Sequence, residues 1–331
     1  MKRILVYNVA ASTSGALTIL NEYYDRFALD QSDTEYIFVI STPILKDRHN
    51  IKVLRYPWVK KSWLHRLYFE YFRIGKIAQE YKVDEILSLQ NIAVPNTGIR
   101  QTVYLHQAIP FVEYKFYMFK DFIPWIYQNI ISRLIYSSLK KAGRVIVQTK
   151  WMKTACVKRV GISEAKIIVE VPKIDLSKVI QYREVEEIVF FYPATALSYK
   201  NHMVIVEACK ILKQQGIFNY KVIFTTNGNE NGLSKKIKKV VDELSLPVSF
   251  IGSVERSMVF ELYSKTILLF PSYVESLSLP LLEAKTAGCP IIAADTLFAR
   301  DVLSSYYNVM FFEHNDYEEL AVLLLQYIKN G

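Results

Sequence analysis

Cysteine is scarce in this chain. Cys156, Cys209 and Cys289 are an odd, scattered set in 331 residues with no CxxC pair, so neither a disulfide framework nor a structural zinc site is suggested. They read as packing residues. No apolar run approaches the roughly 20 residues that a membrane-spanning helix needs. Met1-Lys2-Arg3 leads straight into a short apolar strand and not into a signal peptide, so the chain is expected to stay in the cytoplasm. The first small-residue loop, residues 10–15, carries a single glycine, Gly15, where a dinucleotide fingerprint needs three, which argues against a nicotinamide enzyme. Asp-x-Asp, the short acidic pair that often carries a metal onto a phosphate, is missing, and so are internal repeats and low-complexity tracts.

What is present is apolar residues and positive charge. Apolar side chains make up 51% of the chain, and 331 residues exceed what one core usually supports, so two domains are expected, residues 1–172 and 173–331. The net charge of +9 is divided unevenly between them. Residues 1–172 hold 25 Lys and Arg against 14 Asp and Glu, the remainder 16 against 18, and all four tryptophans fall in the basic half. A basic, ring-rich half beside a near-neutral one predicts that only the first meets an anionic surface.

Short apolar runs alternating with helical stretches of 10 to 20 residues predict parallel α/β sheets in both halves. In the first half, residues 63–81 interleave Arg66, Arg73 and Lys76 with Trp63, Tyr68, Phe69, Tyr71 and Phe72. Residues 111–136 are denser still in rings, broken by Lys115, Lys120, Pro124 and Arg133. That mixture suits a helix lying on anionic headgroups or a groove for a lipid-linked acceptor. No nucleic-acid-binding motif accompanies it, so a membrane surface is expected and nucleic acid is not. A core face with a solvated basic edge is the plain alternative for residues 63–81, and a buried helix pair for 111–136. The strand at 102–105 ends in His106, the one histidine of five placed at a strand's C-terminal end, where open α/β sheets bind ligands.

Residues 270–295, FPSYVESLSLPLLEAKTAGCPIIAAD, read as a strand end, a loop, a helix and a strand. Pro280 fits only a first helical turn and Gly288 the left-handed position just past a last one. The amides of Leu277, Ser278 and Leu279 then lie at a helix N-terminus, a place for an anion such as phosphate. Glu275 would stand beside it on the loop. Glu283, about two turns on, would be offset by roughly the width of a ribose, whose two hydroxyls a carboxylate accepts well.

The spacing Glu275-x7-Glu283 within PSYVESLSLPLLEAKTAGCPIIA resembles the signature of the retaining glycosyltransferases of family 4. That resemblance implies the GT-B fold, two Rossmann-like doubly wound parallel-sheet domains facing a cleft. It places Glu275 by the donor sugar, Glu283 on the ribose and the helix start on the diphosphate. It carries His106 to the neighbourhood of the transferred sugar, and Ser14 and Gly15 to the loop near the donor phosphates and acceptor. The segment PATALSYKNHMVIVEA resembles the family's first loop of the second domain, where an Arg and a Lys clasp the diphosphate. Lys200, beside Asn201, matches the Lys, whereas Ala194 or Thr195 stands at the Arg position. The family's usual glycines are replaced by Ser276 and Ser278.

The implied reaction is metal-independent transfer, with retention, from a nucleotide-diphosphate sugar to a glycan acceptor. The family's context adds a lipid-linked acceptor in cell-surface polysaccharide synthesis and peripheral association with the inner face of the membrane. No cofactor beyond the donor is expected. Two other readings share the paired carboxylates: a GT-B nucleotide-sugar epimerase, and a non-catalytic protein that binds a nucleotide sugar or lipid headgroup.

Overall fold

The computed structural model of the protein describes residues 1–12, 14–173 and 175–330. Its chain divides into two units, Met1–Lys173 and Ile174–Gly331. The first is built on β1 (Lys2–Asn8), β2 (Thr34–Ile40), β3 (Ile51–Arg55), β4 (Glu85–Ser88), β5 (Arg100–Leu105), β6 (Arg144–Val147) and β7 (Ile167–Val169). They pair in parallel in the order β3-β2-β1-β4-β5-β6-β7. Side chains alternate across a strand, so Val6, Phe38 and Ile40 face one layer with Ile19, Leu20 and Tyr24, while Leu5, Ile37 and Val39 face the other with Phe69, Ile74 and Ile77. Both faces are covered, as a parallel sheet requires. Burying each such side chain contributes roughly 1.5–3 kcal/mol.

The second unit repeats the plan with β8 (Val189–Tyr192), β9 (Lys221–Phe224), β10 (Val248–Phe250), β11 (Ile267–Phe270), β12 (Ile291–Ala294) and β13 (Val309–Phe312), all parallel, in the order β10-β9-β8-β11-β12-β13. Every residue of β8, β11 and β12 is buried. Residues 175–188 form no regular element, but the Tyr182 amide donates to Ala287 O at 2.7 Å and that of Arg183 to Ser264 O at 2.8 Å. Those bonds tie the segment to the second unit.

Each sheet winds outward in one direction and then resumes on the other side of its first strand. The loops leaving β1 and β4 therefore part company, as do those leaving β8 and β11, and such a switch point leaves a crevice at the C-terminal strand ends. The second unit's residues of interest gather at that place.

Two helical stretches differ from expectation. The helix expected over 63–81 is Trp63–Tyr68, a π-helical turn Phe69–Arg73, and Ile74–Glu80. Phe69 and Glu70, at the start of this wider turn, are both buried. Residues 111–136 likewise hold a π turn, Tyr127–Ile131, after Phe122–Ile126, whose first turn accommodates Pro124. The β4 to β5 crossover is made by residues 89–99 without a helix. A cavity of about 750 Å³ remains there, with Leu67 and Tyr71 on one wall and Leu134 and Ser137 on another. Among the described residues, no helix is long and apolar enough to cross a membrane.

Candidate active site

Glu275 lies on the loop after β11 and Lys200 on the 3-10 turn Ser198–Lys200 after β8, the two strands flanking the switch point. Lys200 Nζ donates directly to Glu275 Oε1, which also accepts from Ser272 Oγ at 3.0 Å. The pair is largely shielded, the two side chains being 18% and 17% exposed. The turn beneath it is braced by backbone contacts. Tyr192 OH donates to Lys200 O at 2.7 Å, and Tyr199 O accepts from the Tyr273 amide at 3.0 Å. Asn201 takes the left-handed conformation at φ +58°, which asparagine tolerates well, and its Nδ2 donates to His314 O at 2.6 Å. Its side chain is thus engaged in joining the β8 loop to the β13 loop, and Asn201 holds Lys200 in place through the backbone.

The helix Leu279–Ala287 starts with Pro280 in its first turn and ends at Gly288, left-handed at φ +77°. Among the described residues, the amides of Leu277, Ser278 and Leu279 have no acceptor. Ser278, the residue at the N-cap, has φ +65° and ψ +86° and makes no capping bond. A side chain held there costs on the order of 1–3 kcal/mol. Its Oγ is shielded from water without a hydrogen-bond partner.

Glu283, 6% exposed, lies in the middle of the same helix. Its Oε1 accepts from Arg256 Nη2 at 2.8 Å and its Oε2 from Tyr263 OH at 3.4 Å. Burial pushes this carboxyl above its ordinary range, and Arg256 and the Tyr263 hydroxyl pull it part of the way back. Arg256 remains 48% exposed on its side chain. Sequence reasoning did not join Arg256 to Glu283. The two are 27 residues apart and come from different connections of the sheet. Tyr263 was missed for the same reason, and Ser272, on the same loop as Glu275, because no spacing rule relates a serine there to the glutamate.

The remaining predicted residues belong to the first unit. His106 follows β5 as expected, and Asn91, left-handed at φ +70°, holds it from two sides. Asn91 Oδ1 accepts from the His106 amide at 2.8 Å, and Asn91 Nδ2 lies 3.2 Å from His106 Nε2. The Nδ1 atom is buried without a partner, and burial pushes the imidazole down to about 4. Gly15, expected on the loop, is the second residue of the helix Ser14–Ala28, because the helix begins two residues earlier than the apolar pattern at Ala16 suggests. The side chain of Ser14, named with it, lies outside the described residues.

A second buried imidazole, His202, lies between the rings of Tyr192 and Phe224, with Nε2 3.3 Å from Ala194 O, and burial pushes it to about 4 as well. In the unfolded chain both histidines would titrate near 6.5. With the folded values depressed, the unfolded state takes up protons first as the pH falls. Stability is therefore fully present above about 6.5 and is lost toward 4, by up to about 3 kcal/mol per imidazole. Urea midpoints between pH 7.5 and 4.5 should fall accordingly, and less steeply in His202→Phe.

Two doubly wound parallel-sheet units, the second with a cation, two carboxylates and free helix amides at its switch point, define the class: this is the GT-B fold. Residues 175–331, the second unit, match the family model of the glycosyl transferases group 1. It is 25% identical over 206 residues to the O-antigen chain mannosyltransferase RfbU of Salmonella typhimurium strain LT2, an alignment covering 62% of this chain. The chain spans about half, 55%, of that relative's length. Among solved structures, sucrose-phosphate synthase from Thermosynechococcus elongatus superimposes with a TM-score of 0.73 at 15% identity, covering 100% of this chain and 90% of that one. Anabaena Alr3699/HepE in complex with UDP and glucose gives 0.69 at 15% identity, covering 99% and 90%.

Proposed function

We propose that the protein is a glycosyltransferase that moves a sugar from a nucleotide-diphosphate sugar to a glycan acceptor in cell-surface polysaccharide synthesis. The observation that carries this reading is the contact of Lys200 with Glu275 beside unpartnered amides at the switch point of the second sheet. A cation and N–H donors converging there suit a diphosphate leaving group, whose developing charge they stabilise without a metal ion. Glu283 accepts the ribose hydroxyls. Glu275 lies against the sugar, where its charge opposes the positive charge that grows at the anomeric carbon. The bond from that carbon to the phosphate oxygen breaks as the acceptor oxygen attaches to the same face, and the acceptor's proton passes to the departing phosphate. Retention follows. His106, neutral at pH 7 and with its buried Nδ1 without a partner, is the hydrogen-bonding group that the first unit offers to the acceptor.

The relative from Salmonella is an O-antigen chain enzyme, and a neighbour of the same fold binds UDP and glucose. Both support a nucleotide-sugar donor and a glycan acceptor. Incubation with a panel of UDP-, GDP- and TDP-hexoses, read by mass spectrometry, tests the reading. Transfer or slow donor hydrolysis supports it, exchange of epimers replaces it by an epimerase, and binding without turnover by a non-catalytic binding protein. Activity should persist in excess EDTA.

The acceptor is lipid-linked in this reading, and the first unit rests on an anionic membrane at the cytoplasmic face. Trp63, Leu64, Tyr68 and Phe72 are exposed on one stretch and Tyr117, Phe119, Phe122 and Ile123 on another, Phe119 to 96%. Lys60, Lys61, Arg66 and Arg73 accompany the first stretch in sequence, and Lys115, Lys120 and Arg133 fall in the same segment, residues 111–136, as the second. Rings with basic neighbours favour an interface where one end is apolar and the other wet. Flotation with vesicles of 30% phosphatidylserine, a composition on the order of anionic leaflets, should carry the protein upward at low salt. Recovery should fall as salt screens the charges, and Phe119→Ser should weaken it several-fold; a protein that stays at the bottom at low salt sinks the membrane part.

A further inference from the structure

The N-cap of the helix Leu279–Ala287 combines two features that each disfavour the residue found there. Ser278 sits at φ +65°, a region that glycine enters freely and a residue with a Cβ does not. Its hydroxyl also goes unused by the helix: a serine at an N-cap ordinarily accepts from the second or third amide of the first turn, but the second helical residue is Pro280, which has none, and no capping bond forms. The Oγ is left shielded from water with no partner, on a residue only 6% exposed. A strained backbone and an unsatisfied buried hydroxyl at one position point to a ligand that uses the hydroxyl.

We infer that the Ser278 hydroxyl is a donor to the diphosphate of the nucleotide, acting with the amides of Leu277, Ser278 and Leu279, and that it determines preference for a diphosphate over a monophosphate. This rests on the function proposed above and adds a side chain to a backbone anion site. The chemistry is suitable. Those three amides have no acceptor among the described residues, and the helix start favours negative charge. An O–H donated to a charged phosphoryl oxygen is among the stronger hydrogen bonds. Glycine at this position would present the same amides without strain but would lack the fourth donor. Serine therefore exchanges stability for a ligand contact.

The two roles of Ser278 separate in two substitutions. Ser278→Gly removes the hydroxyl and the strain, and Ser278→Ala removes the hydroxyl alone. Calorimetric titration of the full chain with UDP, GDP and their monophosphates is the measurement, with thermal unfolding alongside. Both variants should lose about 10-fold in affinity for whichever diphosphate the wild type binds, the size of one charge-assisted hydrogen bond, and little for the monophosphate. Ser278→Gly alone should show a higher Tm. Diphosphate affinity kept or improved in Ser278→Gly would overturn the inference while leaving the proposed function standing. A wild type that binds no nucleoside diphosphate would overturn the proposed function, and the inference with it.

Discussion

Glu275→Ala is expected to abolish sugar transfer, with kcat reduced at least 10²- to 10³-fold, the usual effect of removing one preorganised electrostatic group from a reaction centre. Two causes add. The carboxylate that the proposed function sets against the sugar disappears, and Lys200, only 18% exposed, loses its partner, so its ammonium is free to move away from the phosphate it is proposed to hold. Glu275→Gln separates them. The amide keeps the shape and still accepts from Ser272 Oγ, so folding should be preserved while the charge is lost. Glu283→Ala should behave differently, raising the KM for the donor more than it lowers kcat, because its carboxylate, held by Arg256 and Tyr263, would in the proposed function bind the ribose in the ground and transition states alike. Steady-state kinetics on the donor identified by the hexose panel check both. Near-normal kcat in Glu275→Ala would remove Glu275 from the reaction.

Lys200→Met should lower kcat by a comparable 10²- to 10³-fold. Thr195 or Ala194 stands where the resembled family carries an Arg, so in the proposed function Lys200 is the cation that the β8 loop offers to a diphosphate. Charge on the leaving oxygen grows toward the transition state, so the loss should fall on kcat more than on ground-state donor binding. A donor with a better leaving group should recover part of the rate in this variant and not in Glu275→Ala, which acts on the other side of the breaking bond. Lys200→Arg should restore little, because the pocket holds a compact ammonium against Glu275 and a planar guanidinium fits another geometry. If Lys200→Met keeps its rate with every donor, the leaving group is stabilised elsewhere.

Much of the fold could be read directly from local pattern. Ile267–Phe270 and Ile291–Ala294 appear as short apolar runs, and the helix between them is bounded by Pro280 and Gly288, whose backbone restrictions act within a residue or two. Position along the chain also placed His106 just beyond a strand. Other features resisted such reading. The π turn Phe69–Arg73 leaves no mark in the apolar spacing, and helical periodicity alone predicts an unbroken helix there. The start of the first helix at Ser14 was missed because small residues carry no apolar period.

The sequence by itself determined that residues 275 and 283 lie on one strand-loop-helix unit, with a proline and a glycine marking its ends, because those constraints are local and covalent. Only the tertiary structure decided which residues meet them. Lys200 reaches Glu275 across 75 positions because β8 pairs with β11, and Arg256 reaches Glu283 from another connection of the same sheet. Strand order is set by burial of both sheet faces over the whole unit, a sum over distant residues that no short window of sequence contains.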